Sequence, residues 1–118
     1  MLVIIELCET NQLKLISSEA LLYEIGWIPE RKRKEDAQAI LSLAKETIKL
    51  TPQIENLAKE MTESGIKPLD ALHLATASIS KTDYFCTCDN KLIKKGRQFK
   101  GLNTRIISPL ELIEELDL

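Results

Sequence analysis

Apolar positions along the chain fall into short alternating runs separated by stripes at helical spacing. Leu13-Lys14-Leu15-Ile16-Ser17 alternates as a strand, and Ser18 suits the N-cap of a helix running to about Gly26-Trp27, before Pro29 breaks the chain. Ala37, Ile40, Leu41 and Ala44 share one face, which predicts an amphipathic helix over 32–45. Thr47-Ile48-Lys49-Leu50-Thr51 alternates again, and Pro52 opens a helix with Ile54, Leu57, Ala58 and Met61 on one side and Gly65 closing it. The stretch 68–80 is apolar nearly all round and predicts the most buried helix; 84–88 is a strand apolar on both faces, as inside a parallel sheet covered by helices. A strand at 104–107 and a helix from Pro109 follow, and the opening Met1-Leu2-Val3-Ile4-Ile5 reads as the apolar face of a first helix. Such alternation, without internal repeat or low-complexity linker, predicts an α/β fold: a three-layer α/β/α arrangement around a parallel sheet.

With 118 residues, 44% hydrophobic and 29% charged, the sequence suits one core and hence a single domain over 1–118. No apolar run is long enough to span a bilayer, and the opening lacks the basic flank and cleavage pattern of a signal peptide, so no membrane partner is expected. Three cysteines, an odd number, point to a reducing, cytoplasmic compartment. Cys86 and Cys88 face one side of their strand, but a zinc clip needs further ligands and only Cys8 and His73 remain, so zinc is disfavoured.

Candidate chemistry concentrates in Gly65-Ile66-Lys67-Pro68-Leu69-Asp70-Ala71-Leu72-His73 and Tyr84-Phe85-Cys86-Thr87-Cys88-Asp89. Asp70 falls in the first turn of an apolar helix, where it complements the helix dipole; Asp89 follows a strand and suits an N-cap. Both lie within one β-α unit, at the edge of a parallel sheet where ligands bind, which makes the pair a candidate metal site. The net charge of −2 does not suggest a nucleic-acid binder. Its distribution does: Lys91, Lys94, Lys95, Arg97, Lys100 and Arg105 lie between Asp89 and Glu111 with no acid among them, and such a cluster steers a phosphate backbone. Arg31-Lys32-Arg33-Lys34, flanked by Glu30, Glu35 and Asp36, reads instead as a solvated surface.

Asp-Ala-Leu-His-Leu-Ala-Thr-Ala from Asp70, an apolar strand ending Thr87-Cys88-Asp89, a short basic helix and Ile106-Ile107-Ser108-Pro109-Leu110-Glu111-Leu112-Ile113 together resemble the PIN domain family over 65–115. Upstream, Leu15-Ile16-Ser17-Ser18 and Leu21-Leu22-Tyr23-Glu24-Ile25 resemble that family's second strand and the helix carrying its acidic residue. One departure stands out: PIN domains open with a strand ending in a metal-binding Asp, whereas this sequence opens on what resembles the helix preceding the second strand, with no Asp before Asp36. The resemblance therefore implies an N-terminally truncated PIN-like domain lacking its first, central strand. The gap so left between 13–17 and 84–88 closes by direct pairing, by a strand from another subunit, or in a longer gene product; direct pairing or exchange in a homodimer is expected.

The resemblance further implies a Mg²⁺- or Mn²⁺-dependent, single-strand-specific endoribonuclease of the toxin type, a phosphodiester hydrolase held inactive by an antitoxin protein. Asp70 and Asp89 are then metal ligands and Glu24 a third, direct or through water; Thr87 orients the Asp89 carboxylate or a phosphate, and Lys91, Lys94, Lys95 and Arg97 bind substrate. His73, one turn from Asp70, is a helper or, more simply, a packing residue. Without the fourth acid the metal is expected to bind weakly and cleavage to be impaired. A non-catalytic remnant that binds RNA or a protein partner stays open beside it. A phosphotransfer receiver is disfavoured, since no Asp-x-Asp-x-Thr motif occurs.

Overall fold

The computed structural model describes residues 2–116. They form seven helices and four short strands in two compact units, Met1–Leu50 and Thr51–Leu118.

The first unit runs α1 (Leu2–Glu9), β1 (Ile16–Ser18), α2 (Glu19–Gly26), α3 (Arg31–Leu41) and β2 (Glu46–Ile48). β1 pairs with β2 in parallel, Ile16 opposite Glu46 and Ser18 opposite Ile48, and the Lys45 N–H donates to the Leu15 carbonyl just outside the ladder at 2.9 Å. Ser18 ends β1 and caps α2, its hydroxyl accepting from the Leu21 N–H at 3.1 Å. Its neighbour Ser17, 3% exposed, has no hydrogen-bond partner for its hydroxyl among the described residues. Only Leu7 and Cys8 of α1 are buried while Leu2 and Val3 are exposed, so the buried face lies later than expected; four consecutive apolar residues carry no periodicity that selects a face. α3 stops at Leu41 rather than 45, because the chain turns through Leu43 N–H to Ile40 O and Ala44 N–H to Leu41 O. Arg31–Glu35, Lys32–Asp36 and Arg33–Glu30 pairs cover its exposed start, the solvated surface expected there. On α2, Tyr23 and Trp27 sit one turn apart, 68% and 72% exposed, ring centroids 6.0 Å apart.

The second unit runs α4 (Pro52–Glu63), α5 (Pro68–Ile79), β3 (Tyr84–Cys86), α6 (Asn90–Gln98), β4 (Arg105–Ile107) and α7 (Pro109–Glu115). Thr51 caps α4 through the Ile54 N–H, and Gly65, at φ 106°, supplies the left-handed turn that ends the helix and turns the chain into α5. Ile54, Ala58 and Met61 of α4 and Ala71, Leu74, Ala75 and Ala77 of α5 are buried, and α5 is the most buried helix of the chain, as its all-round apolar sequence predicts. β3 pairs with β4 in parallel, Tyr84 opposite Arg105 and Cys86 opposite Ile107. All three β3 residues are only half-buried, unlike a strand covered on both faces, because the ladder has just two strands. Where α6 crosses β4 the approach is close enough that a Cβ on Gly96 would overlap Ile106 Cδ1. Ser108 caps α7 in a reciprocal box with Glu111.

Helices alternating with short parallel strands confirm the α/β class. Within the first unit β1 takes β2, and within the second β3 takes β4.

Candidate functional site

Asp70 and Asp89 reach one place by different routes. Pro68 sets the first position of α5, which puts Asp70 in the first turn, half-buried. Among the described residues its carboxylate takes no hydrogen bond or ion pair, so dipole complementarity is the one structural role it has there. Asp89 stands three residues beyond β3 and caps α6: its Oδ1 accepts from the N–H groups of Lys91 at 3.0 Å and Leu92 at 3.2 Å. Both hydrogen bonds fall on one carboxylate oxygen, and among the described residues the other accepts none. Thr87 Oγ1 accepts the Asp89 N–H at 3.2 Å and so fixes the turn that presents the acid rather than the carboxylate itself.

The two acids line the same small cavity, about 50 Å³, with Ile66, Lys67, Lys91, Leu92 and Lys95. Lys95 Nζ donates to the Gly65 carbonyl at 3.0 Å, tying α6 to the turn that leads into Asp70. Lys94 is not among the lining residues. Arg97 turns away: its guanidinium donates to the Ile106 carbonyl and, at 3.0 Å, to Glu111, beside a separate, larger hollow bounded by Phe99, Leu102, Thr104 and Arg105. Arg105 in turn pairs with Glu115. The Ser108 backbone N–H, the Arg97 guanidinium and the Ser108 hydroxyl hold the Glu111 carboxyl down at about 2. Of the basic run after Asp89, then, Lys91 and Lys95 share the acids' cavity while the arginines serve the α6, β4 and α7 packing. Lys67 reaches it without having been singled out from the sequence; its place directly before Pro68-Leu69-Asp70 is the signal that marks it.

Glu24 is exposed on α2 in the first unit, and His73 is half-buried on α5, one turn beyond Asp70. Among the described residues no three or more His, Cys, Asp and Glu side chains gather as a metal cluster, and all three cysteines are free thiols. Burial, and then the neighbouring Cys88, push the Cys86 thiol up.

A comparison with protein-family models matches the PIN domain over residues 4–98, from within α1 to the end of α6. The chain belongs to the PIN domain family. The match takes in β1 to β3 and both acids of the cavity. Comparison with curated proteins and with solved structures finds no match. PIN domains are in general nuclease domains and typically use divalent metals. The cavity of this PIN domain fits such an ion: half-buried Asp70 offers a carboxylate with no hydrogen bond or ion pair among the described residues, Asp89 offers an oxygen outside its cap, and Mg²⁺ characteristically takes one or two carboxylates and keeps several waters. No helix among the described residues is long and apolar enough to cross a membrane.

Proposed function

We propose that this PIN domain is a Mg²⁺- or Mn²⁺-dependent endoribonuclease specific for single strands, of the toxin type, restrained by an antitoxin protein in a reducing cytoplasm. The observation that carries the reading is that Asp70 and Asp89, from two different helix starts, line one cavity. Support for the toxin-type and cytoplasmic parts comes from the motif resemblance and from three free thiols.

Asp70 and Asp89 supply hard oxygen donors, and the mutual repulsion of clustered carboxylates favours a cation between them. A divalent ion held there supplies water activation and neutralises charge developing on the scissile phosphate. The remaining work falls to the protein. The cap bonds hold Asp89 in one orientation, the Thr87 turn sets where it leaves β3, and the Lys95 bond to Gly65 keeps α6 against the entrance to α5.

The test is cleavage of end-labelled single-stranded and duplex RNA in Mn²⁺ or Mg²⁺. The reading expects cutting of single strands, abolished by chelation and by Asp70→Asn. Cutting that survives both would overturn it, and inactivity of the folded protein toward every RNA, with binding retained, favours the non-catalytic remnant.

A further inference from the structure

The acids' cavity carries more positive than negative charge. Lys67, Lys91 and Lys95 line it together with Asp70 and Asp89, three ammonium groups beside two carboxylates. Lys95 is committed to the Gly65 carbonyl. Lys67 and Lys91 are exposed, and among the described residues neither ammonium group has a hydrogen bond or ion pair. Elsewhere in this unit Arg97 and Arg105 are each paired with a glutamate, whereas Lys67 and Lys91 keep their charge available beside the two acids.

Their anchorage differs as well. Lys91 is in the first turn of α6, its backbone N–H bonded to Asp89 Oδ1. Lys67 is the N-cap residue of α5 and gives no side-chain acceptor to that helix's first-turn N–H groups, so the positive end of α5 stays open beside its ammonium group. Buried Ile66 and Leu92 line the cavity between them, an apolar surround against which a charged ligand is poorly screened.

We propose that Lys67 and Lys91 are the phosphate-binding pair of this site, gripping the backbone of a single-stranded oligonucleotide next to the acids, with Lys95 a positioning residue that holds the Lys67 turn against α6. The proposal rests on the nuclease reading for its ligand class, but its test needs no metal and no cleavage. It replaces a diffuse basic surface with a defined pair: Lys94, on the same helix, and Arg97, committed to Glu111, contribute little.

The experiment is fluorescence anisotropy of a labelled single-stranded oligoribonucleotide with the full chain in EDTA, over a series of salt concentrations. Lys67→Gln and Lys91→Gln should each weaken binding about three- to fivefold and lower the slope of log K against log salt by about 0.7. Lys94→Gln should stay within about twofold of the parent. Asp70→Asn should tighten binding in EDTA, because it removes a negative charge beside the phosphate, and this sets the phosphate grip apart from metal bridging. Parent-like binding by Lys67→Gln and Lys91→Gln, an equal loss in Lys94→Gln, or no binding by the parent would overturn the proposal. If the lysine dependence holds while no divalent ion supports cleavage, the lysine pair stands and the nuclease reading fails.

Discussion

Asp89 does two jobs at once, and two substitutions separate them. Asp89→Asn keeps an amide oxygen in place of Oδ1, so the bonds from Lys91 and Leu92 N–H survive, and Asn caps helices about as well as Asp. What it loses is the favourable charge at the positive end of α6, about 0.3–1 kcal/mol. Asp89→Ala loses the acceptor as well, leaving both N–H groups to water, a change that costs about 1 kcal/mol and at most about 2. At about 2.1 cal/mol/K per residue over 118 residues, each 1 kcal/mol is about 4 °C in Tm. Thermal unfolding in EDTA, followed by circular dichroism, should therefore rank the parent first, Asp89→Asn slightly below and Asp89→Ala several degrees lower. Calorimetric titration with Mn²⁺ should rank them differently: both variants lose binding together, because an amide oxygen is a poor substitute for a carboxylate. If Asp89→Ala is as stable as Asp89→Asn, the cap contributes nothing. If Asp89→Asn binds Mn²⁺ like the parent, its carboxylate is no ligand.

Gly96→Ala should destabilise despite alanine's higher helix propensity: the new methyl overlaps Ile106 Cδ1 and comes within 3.2 Å of Leu74 Cδ2, and overpacking of about 1–3 kcal/mol outweighs a propensity gain of about 1. Adding Ile106→Val, which deletes the overlapped methyl, should recover part of the loss in urea denaturation; no recovery would locate the clash elsewhere. Glu111, held at about 2 in the folded protein against an ordinary 4.5, contributes stability that is fully present above about 4.5 and disappears as pH falls toward 2. Urea midpoints measured across that range should fall more steeply for the parent than for Glu111→Gln, and parallel curves would refute the linkage.

Helix identities and the acid pair were legible in the sequence because each rested on a local rule. Pro68 fixes where α5 starts, and hence that Asp70 sits in its first turn; Ser18 and Asp89 each announce a cap that the structure contains. What the sequence could not convey was partner choice at a distance. The run Lys91 to Arg105 looked like one basic surface, yet Glu111 and Glu115, beyond its end, claim two of its arginines, and no local spacing encodes that pairing. Lys67 was overlooked for the opposite reason: it stands alone in sequence and joins Lys91 only through the α5 and α6 starts. Strand lengths were overestimated because apolar alternation continues past the last ladder pair, as at Thr87, whose N–H still reaches the Ile107 carbonyl.

Trp27 is the sole tryptophan of the chain and stands on the surface of the first unit, close enough to Tyr23 to receive its excitation energy. Its emission is accordingly a private optical channel for α2. Already in contact with water, the indole shifts colour little on unfolding, and the informative signal is the loss of transfer from Tyr23 as the helical turn between them opens.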